Sequence, residues 1–287
     1  MKKLACLMLG MLCLPSAMAA EKSRVVVIDG SLTEIVYALG AQNQLVAVDS
    51  TSLYPAAARK LPSVGYLRAL SSEGILSLQP SKIITSAEAG PATTLAQLKQ
   101  SGLDVHVIQE ANTPEGVTRK IDDVGKLLGK TSEAATLKAH FLAQLAPLQT
   151  LLNGQYSVAK PPKVLFFLGM QGNQFMAAGS ETQADSLLGL LHADNAGKGF
   201  KGYKPLNKEA VLALNPDVIV VASTLPDADK AAPKTDAYQQ FSYTQAYKNK
   251  RIVSADSGLL LGFGPRLPEA LLLLSPVLYP QYPLAQR

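Results

Sequence analysis

Glu73-Gly74-Ile75-Leu76-Ser77-Leu78-Gln79-Pro80 runs on through Lys82 into Ile83-Ile84. A shift of 136 residues lays it, without a gap, on Glu209-Ala210-Val211-Leu212-Ala213-Leu214-Asn215-Pro216, with Ile219-Val220 opposite the two isoleucines. Each copy has apolar residues at helical spacing, a proline that stops the helix, and a β-branched run suited to a buried strand. A helix feeding a buried strand, repeated at this distance, gives two halves of the chain one plan.

Outward from the repeat, both halves alternate strand-like and helix-like stretches. The first half reads RVVVID, SLTEIVYALG, QLVAV, KIITS, TTLAQLKQSG and LDVHVI; the second reads KVLFFLG, ADSLLGLL, DVIVVAS and RIVSAD. Such alternation predicts an α/β fold of two Rossmann-like lobes with parallel sheets. Between the halves, TSEAATLKAHFLAQLAPLQTLLNG at 131–154 predicts a single long linking helix, with Thr131 or Ser132 as its N-cap, Gly154 at its end and a kink at Pro147. The boundaries are then a leader at 1–19, a first lobe at 20–130, the helix at 131–154 and a second lobe at 155–287. Two α/β lobes on one helix leave a cleft, and ligands in such folds sit at the carboxyl ends of the strands. The loops DGSLTE, VDSTSLYP, TSAEAGP, LGMQGNQ, AAGSETQ and SGLLLGFGPR are expected to face it.

The amino end carries Lys2-Lys3, an apolar run from Leu4 to Leu14 and Ala17-Met18-Ala19, which together read as a cleavable secretory leader. Both cysteines, Cys6 and Cys13, lie inside it, and Leu12 ahead of Cys13 is not the small residue that a lipid-anchor site requires. The expected product is a soluble, disulfide-free periplasmic protein and a monomer. Its formal net charge of +5 falls to +3 without the two leader lysines, and the remaining cations are scattered, which excludes a nucleic-acid stripe. His106, His140 and His192 form no ligand cluster in the sequence, which argues against a bare-metal receptor. No G-x-S-x-G elbow or histidine-centred constellation marks an enzyme.

The segments SVGYLRALSSEGILSLQPSKII, MAAGSETQADSLL, GFKGYKPLNKEAVLALNPDVIVVA and LLLGFGP, in this order across nearly the whole chain, resemble the haem-binding members of the class III periplasmic binding protein family, which feed haem-uptake ABC transporters. The resemblance implies that the chain binds ferric haem b as transported cargo in the cleft, without catalysis, and delivers it to an inner-membrane permease and ATPase. It assigns the tyrosine of the Gly-Tyr-x-Arg loop, Tyr66, as axial ligand of the haem iron. A phenolate is a hard oxygen donor suited to Fe(III), and the ferric ion and Arg68 both favour the ionised form. Arg68 can instead meet a haem propionate.

From the second lobe Lys201, Tyr203 and Lys204 are expected to face the porphyrin, the lysines toward the propionates and Tyr203 against the ring. Arg266 in GFGPRLP is a further candidate on a late loop. Some relatives place a histidine where this chain has LGMQGNQ; Met170 stands near that position, and a soft thioether is a poor match to Fe(III). Five-coordinate or water-completed iron is therefore expected, and the case for a second, stacked haem is weakened. Glu73 and Glu209, related by the repeat, are by resemblance the residues that dock each lobe onto the two permease subunits. A corrinoid or ferric-siderophore receptor of the same fold is the alternative, with a haem-dependent enzyme behind it.

Overall fold

A strand apolar at every position must be covered on both faces, and the run Val25–Ile28 shows how this chain does so. Val25 and Val27 enter one core while Val26 and Ile28 enter another. The computed structural model describes residues 23–109, 111–156, 160–171, 174–223 and 235–282. The expected leader lies outside them. The first lobe comprises β1 (Val25–Ile28), α1 (Gly30–Ala38), β2 (Leu45–Val48), α2 (Ser72–Leu76), β3 (Lys82–Ser86), α3 (Ala92–Gln100), β4 (Asp104–Ile108) and α4 (Pro114–Leu127). Helix α5 (Thr131–Leu151) leads to the second lobe, made of β5 (Lys163–Gln171), β6 (Gln174–Ala178), α6 (Gln183–Leu190), β7 (Asp194–Asn195), β8 (Tyr203–Leu206), α7 (Lys208–Leu214), β9 (Val218–Ser223), α8 (Gln245–Lys248), β10 (Ile252–Asp256), α9 (Ser257–Leu261) and α10 (Leu267–Leu278). No described helix is long and apolar enough to cross a membrane.

The repeat is physical as well as textual. Strands β3 and β9 begin at Lys82 and Val218, one 136-residue shift apart, and run parallel to β1 and to β5 respectively. Ser71 caps α2 by accepting from the Gly74 amide, and Asn207 caps α7 by accepting from that of Ala210, at matched positions. A cation closes each helix at the other end. The Arg24 guanidinium donates to the Leu78 carbonyl at 2.6 Å and the Lys163 ammonium to that of Leu214 at 3.3 Å, where the helix carries partial negative charge.

The first sheet is parallel throughout, in the order β2-β1-β3-β4. The second, β10-β9-β5-β6-β8 with β7 beside β5, is mixed, because β6 and β8 run antiparallel. Only two residues separate β5 from β6, too few for a parallel crossover. The ends of α5 also differ from expectation. Its N-cap is Lys130, without a side-chain cap bond, and Thr131 and Ser132 fall in the first turn. At the other end a π-helical turn at Leu152–Tyr156 absorbs Gly154. The helix continues through Pro147, fixed on both sides by buried Leu145 and Leu148.

The outer sheet faces close over separate clusters, Val26, Ile28 and Ile83 with Ile75 in the first lobe, Leu165, Phe167 and Ile219 with Val211 in the second. The inner faces share one core, in which Val25 and Val27 meet Val164 and Phe166 through Leu32 of α1, Val117 of α4, Phe141 of α5 and Leu271 of α10. Polar ties cross the same junction. Buried Lys120 donates to the Ser31 hydroxyl at 2.9 Å and to the Phe263 carbonyl of the other lobe at 3.1 Å. A Cβ on Gly264 would stand 3.3 Å from that of Ser31, so this approach suits glycine.

Candidate functional site

The segment Tyr66-Leu67-Arg68-Ala69-Leu70 sorts its side chains by polarity. Leu67 and Leu70 are buried in the first lobe's outer cluster, and their backbones are clamped to Gly90, whose amide donates to the Leu67 carbonyl at 2.8 Å and whose carbonyl accepts from the Leu70 amide at 3.0 Å. Upstream, the chain pairs with the end of β2: the Val64 amide donates to the Val48 carbonyl at 2.9 Å and the Ser50 amide to the Gly65 carbonyl at 2.8 Å. Gly65 turns the chain at φ +90°, a value that favours glycine. This rigid mount holds an aromatic ring outward: Tyr66 is 47% exposed at the carboxyl ends of β2 and β3.

Arg68 lies against it, its Nη1 donating to the Tyr66 Oη at 3.4 Å and its Nη2 paired with the Glu88 carboxylate on the loop after β3. Burial opposes the guanidinium charge, but Glu88 and the nearby phenol oxygen outweigh it and raise its pKa further. Arg68 is therefore a permanent cation beside the phenol.

Opposite this loop stands Tyr203. Its partial burial pushes the phenol up to about 12, against the pull of Thr182 and of the Arg68 charge, while Glu88 acts the other way. Charges of the first lobe, Arg68 and Glu88, therefore act on a phenol carried by β8 of the second. The sequence expectation grouped Tyr203 with Lys201 and Lys204, and the structure separates them. Residues 203 and 204 alternate on β8, so Tyr203 packs with the shared inner core while Lys204 lies on the outer side, 5.6 Å from the centroid of Phe200. Lys201 is exposed and paired with Glu181 at 2.6 Å.

Arg266 is held by carboxylates. It makes a two-point contact with Glu34 of α1, at 3.0 Å from Nε and 2.6 Å from Nη2, with Asp256 at 3.3 Å and the Tyr54 ring centroid 3.9 Å beneath it. Burial raises the Glu34 pKa although Arg266 pulls it down; the same burial works against the Arg266 charge, which the two carboxylates more than restore. Met170 lies in β5 with its backbone opposite Phe175; its side chain is outside the described residues.

The residues that the sequence reading passed over are Glu88, Tyr54, Glu181 and Thr182. All four stand in loops expected to face the cleft, TSAEAGP, VDSTSLYP and AAGSETQ. A carboxylate two residues before Gly90 gave no sign that it would reach a guanidinium twenty positions back.

The histidines stay apart: His106 pairs with Asp104 at 2.6 Å on β4, His140 is exposed on α5, and the His192 carbonyl accepts from the Tyr279 hydroxyl at 2.8 Å. Among the described residues no group of three or more His, Cys, Asp or Glu is placed to hold a metal ion. A depression of about 1230 Å³ lies between α5 and the start of α10, lined by Leu137, Phe141, Leu148, Pro265 and Leu272 among others, and none of Tyr66, Arg68 and Tyr203 borders it. Glu73 and Glu209 are exposed in the first turns of α2 and α7, and neither forms an ion pair among the described residues.

A family model described as periplasmic binding protein matches residues 25–259. Among solved structures, the periplasmic haem-binding protein BhuT, in complex with two haems, is 40% identical, with 89% of this chain and 97% of that one covered and a TM-score of 0.78. A periplasmic haem-binding protein from Pseudomonas aeruginosa is 34% identical over 92% of this chain and 95% of that one, with a TM-score of 0.80. A vitamin B12-binding protein of Yersinia pestis is 29% identical over 79% of this chain and 78% of its own length.

Proposed function

We propose, for a chain that belongs to the periplasmic binding protein family, that it captures ferric haem b between its lobes and hands it to an inner-membrane ABC importer. One observation carries this reading: a half-exposed phenol, Tyr66, held on a clamped loop with a permanent cation against its oxygen. A ferric ion placed there takes the phenolate as a hard axial ligand. Haem is cargo in this scheme, and the chain's role is binding rather than catalysis. Likeness to haem-binding structures at 40% and 34% identity supports the choice of tetrapyrrole.

Each lobe carries a surface cation already paired with a glutamate, Arg68 with Glu88 and Lys201 with Glu181. Exposed pairs of this kind contribute about 0–1 kcal/mol, so a propionate can take the place of either carboxylate at small cost. The carboxylates hold the cations in position.

Titration of the purified protein with ferric haem, followed by absorbance, tests the reading. Saturable binding with one haem per chain and a phenolate-ligated ferric spectrum is expected; absence of saturable binding would overturn it. The likeness to vitamin B12-binding proteins favours a corrinoid as the second reading. Cyanocobalamin in the same titration separates the two. Delivery rests on Glu73 and Glu209: Glu73→Lys with Glu209→Lys is expected to abolish stimulation of the importer's ATPase while haem binding stays intact.

A further inference from the structure

The tips of the two lobes repeat more than a carboxylate. Among the exposed large apolar side chains of the described residues, Leu76 at 39% and Leu212 at 51% stand one repeat apart, and no other two do. Each follows its glutamate by three positions in a helix, and therefore shares that glutamate's face. Burial matches along both segments: Ile75 and Val211 are the buried side chains of their helices, Leu78 and Leu214 pack partly against the outer clusters, and Pro80 and Pro216 are buried. Leu76 and Leu212 belong to neither cluster. One exposed leucine needs no account. Two at matched positions, each beside a carboxylate without an ion pair among the described residues, make the same small patch twice, one on each lobe.

We infer that Leu76 and Leu212 are apolar anchors for the importer's permease, each seated in a depression beside the cation that receives Glu73 or Glu209. The inference rests on the delivery reading above and extends it from charge to apolar contact. Presentation of one patch twice fits a partner that is itself two-fold symmetric, such as a permease dimer. The carboxylates call for a cation in each half of it. Lys208, next to Glu209, does not cancel that demand, because its ammonium sits 4.8 Å from the centroid of Tyr243 instead. The two residue types then divide the work. Charges act at a distance and set the rate and salt dependence of encounter, while buried side chains hold the complex and set its dissociation.

The test uses haem-loaded full-length protein and the same organism's haem importer in lipid nanodiscs, with association and dissociation followed across a series of salt concentrations. Leu76→Ala with Leu212→Ala is expected to weaken binding at least tenfold, through faster dissociation, with the salt slope and ferric haem spectrum unchanged. Each single variant should give a comparable share of that loss. Glu73→Gln with Glu209→Gln should slow association and flatten the salt slope. Wild-type affinity in the double leucine variant, or a loss confined to one leucine, overturns the inference. So does sedimentation showing that the leucines mediate pairing of two copies of this chain. Haem-loaded wild type that fails to bind the importer overturns the delivery reading itself, a result visible before any leucine variant is compared.

Discussion

Tyr66 presents a phenol oxygen on a clamped loop with Arg68 beside it, and as a hard oxygen donor it is matched to Fe(III). Tyr66→Phe keeps the ring and the loop clamps but removes the donor. Ferric haem affinity should drop by at least about tenfold, with loss of the phenolate-iron charge-transfer absorption and an unchanged far-ultraviolet circular dichroism spectrum. Reduction with dithionite should weaken haem binding in the wild type, because Fe(II) is softer and carries less charge, and this redox sensitivity should vanish in the variant. Tyr203 supplies the control. Burial raises its phenol pKa to about 12 and its ring packs with the shared inner core, so it is the less ready of the two to meet iron as a phenolate. Tyr203→Phe should therefore leave the ferric spectrum as it is. A spectrum that changes in Tyr203→Phe and persists in Tyr66→Phe would move the ligand across the cleft.

Among the elements, the junction where Arg266 meets Glu34 and Lys120 meets Phe263 is held by buried polar groups rather than by a hinge strand. Burial raises the Glu34 pKa despite its partner, so desolvation exceeds what Arg266 returns. Arg266→Met alone should cost about 3–5 kcal/mol in urea unfolding at pH 7, since it strands buried Glu34, whereas Glu34→Gln should cost less because Asp256 still pairs with Arg266; Glu34→Leu with Arg266→Met should recover much of the Arg266→Met loss. The pH dependence has a definite sign. A carboxyl with a raised folded pKa binds its proton more tightly when folded, so its contribution to stability declines as pH rises from about 4.5 through the folded value; Glu34→Gln should flatten that decline. None of this was legible in the sequence, for Arg266 and Glu34 are 232 positions apart and nothing local marks them as partners. The elements themselves were legible: apolar runs located β1, β3, β5 and β9, and the repeat matched α2 with α7. The short strand β6 and the Pro-containing β8 were not, because QFMAA and YKPL have no strand signal apart from the antiparallel pairing that makes them strands. The same blindness grouped Lys204 with Tyr203, since alternation along a strand decides facing only once the strand is known.

At the scale of the molecule, the lobes share too much to swing far. Inner faces of both sheets enter one core, α5 joins them without a flexible strand, and two ties, Lys120 to Phe263 and Arg266 to Glu34, cross between them. Opening or closing by tens of degrees would expose apolar surface at about 25 cal/mol per Å² and break buried polar contacts between the lobes. Cargo entering such a cleft does not supply energy on that scale merely by shutting it, and the Tyr66 loop needs no closure to complete its ligand, because its clamps to Val48 and Gly90 exist without haem. Haem binding should therefore rotate the lobes by a few degrees at most, with adjustment confined to the loops around Glu88 and Glu181. Small-angle scattering of the apo and haem-loaded protein should give superimposable curves and one radius of gyration. The Glu34→Leu, Arg266→Met protein, with one tie removed, is the comparison to run beside it: if its curve contracts on loading while the wild type's does not, the ties limit motion, whereas a marked contraction of the wild type itself would show that the shared core yields and that closure is part of capture.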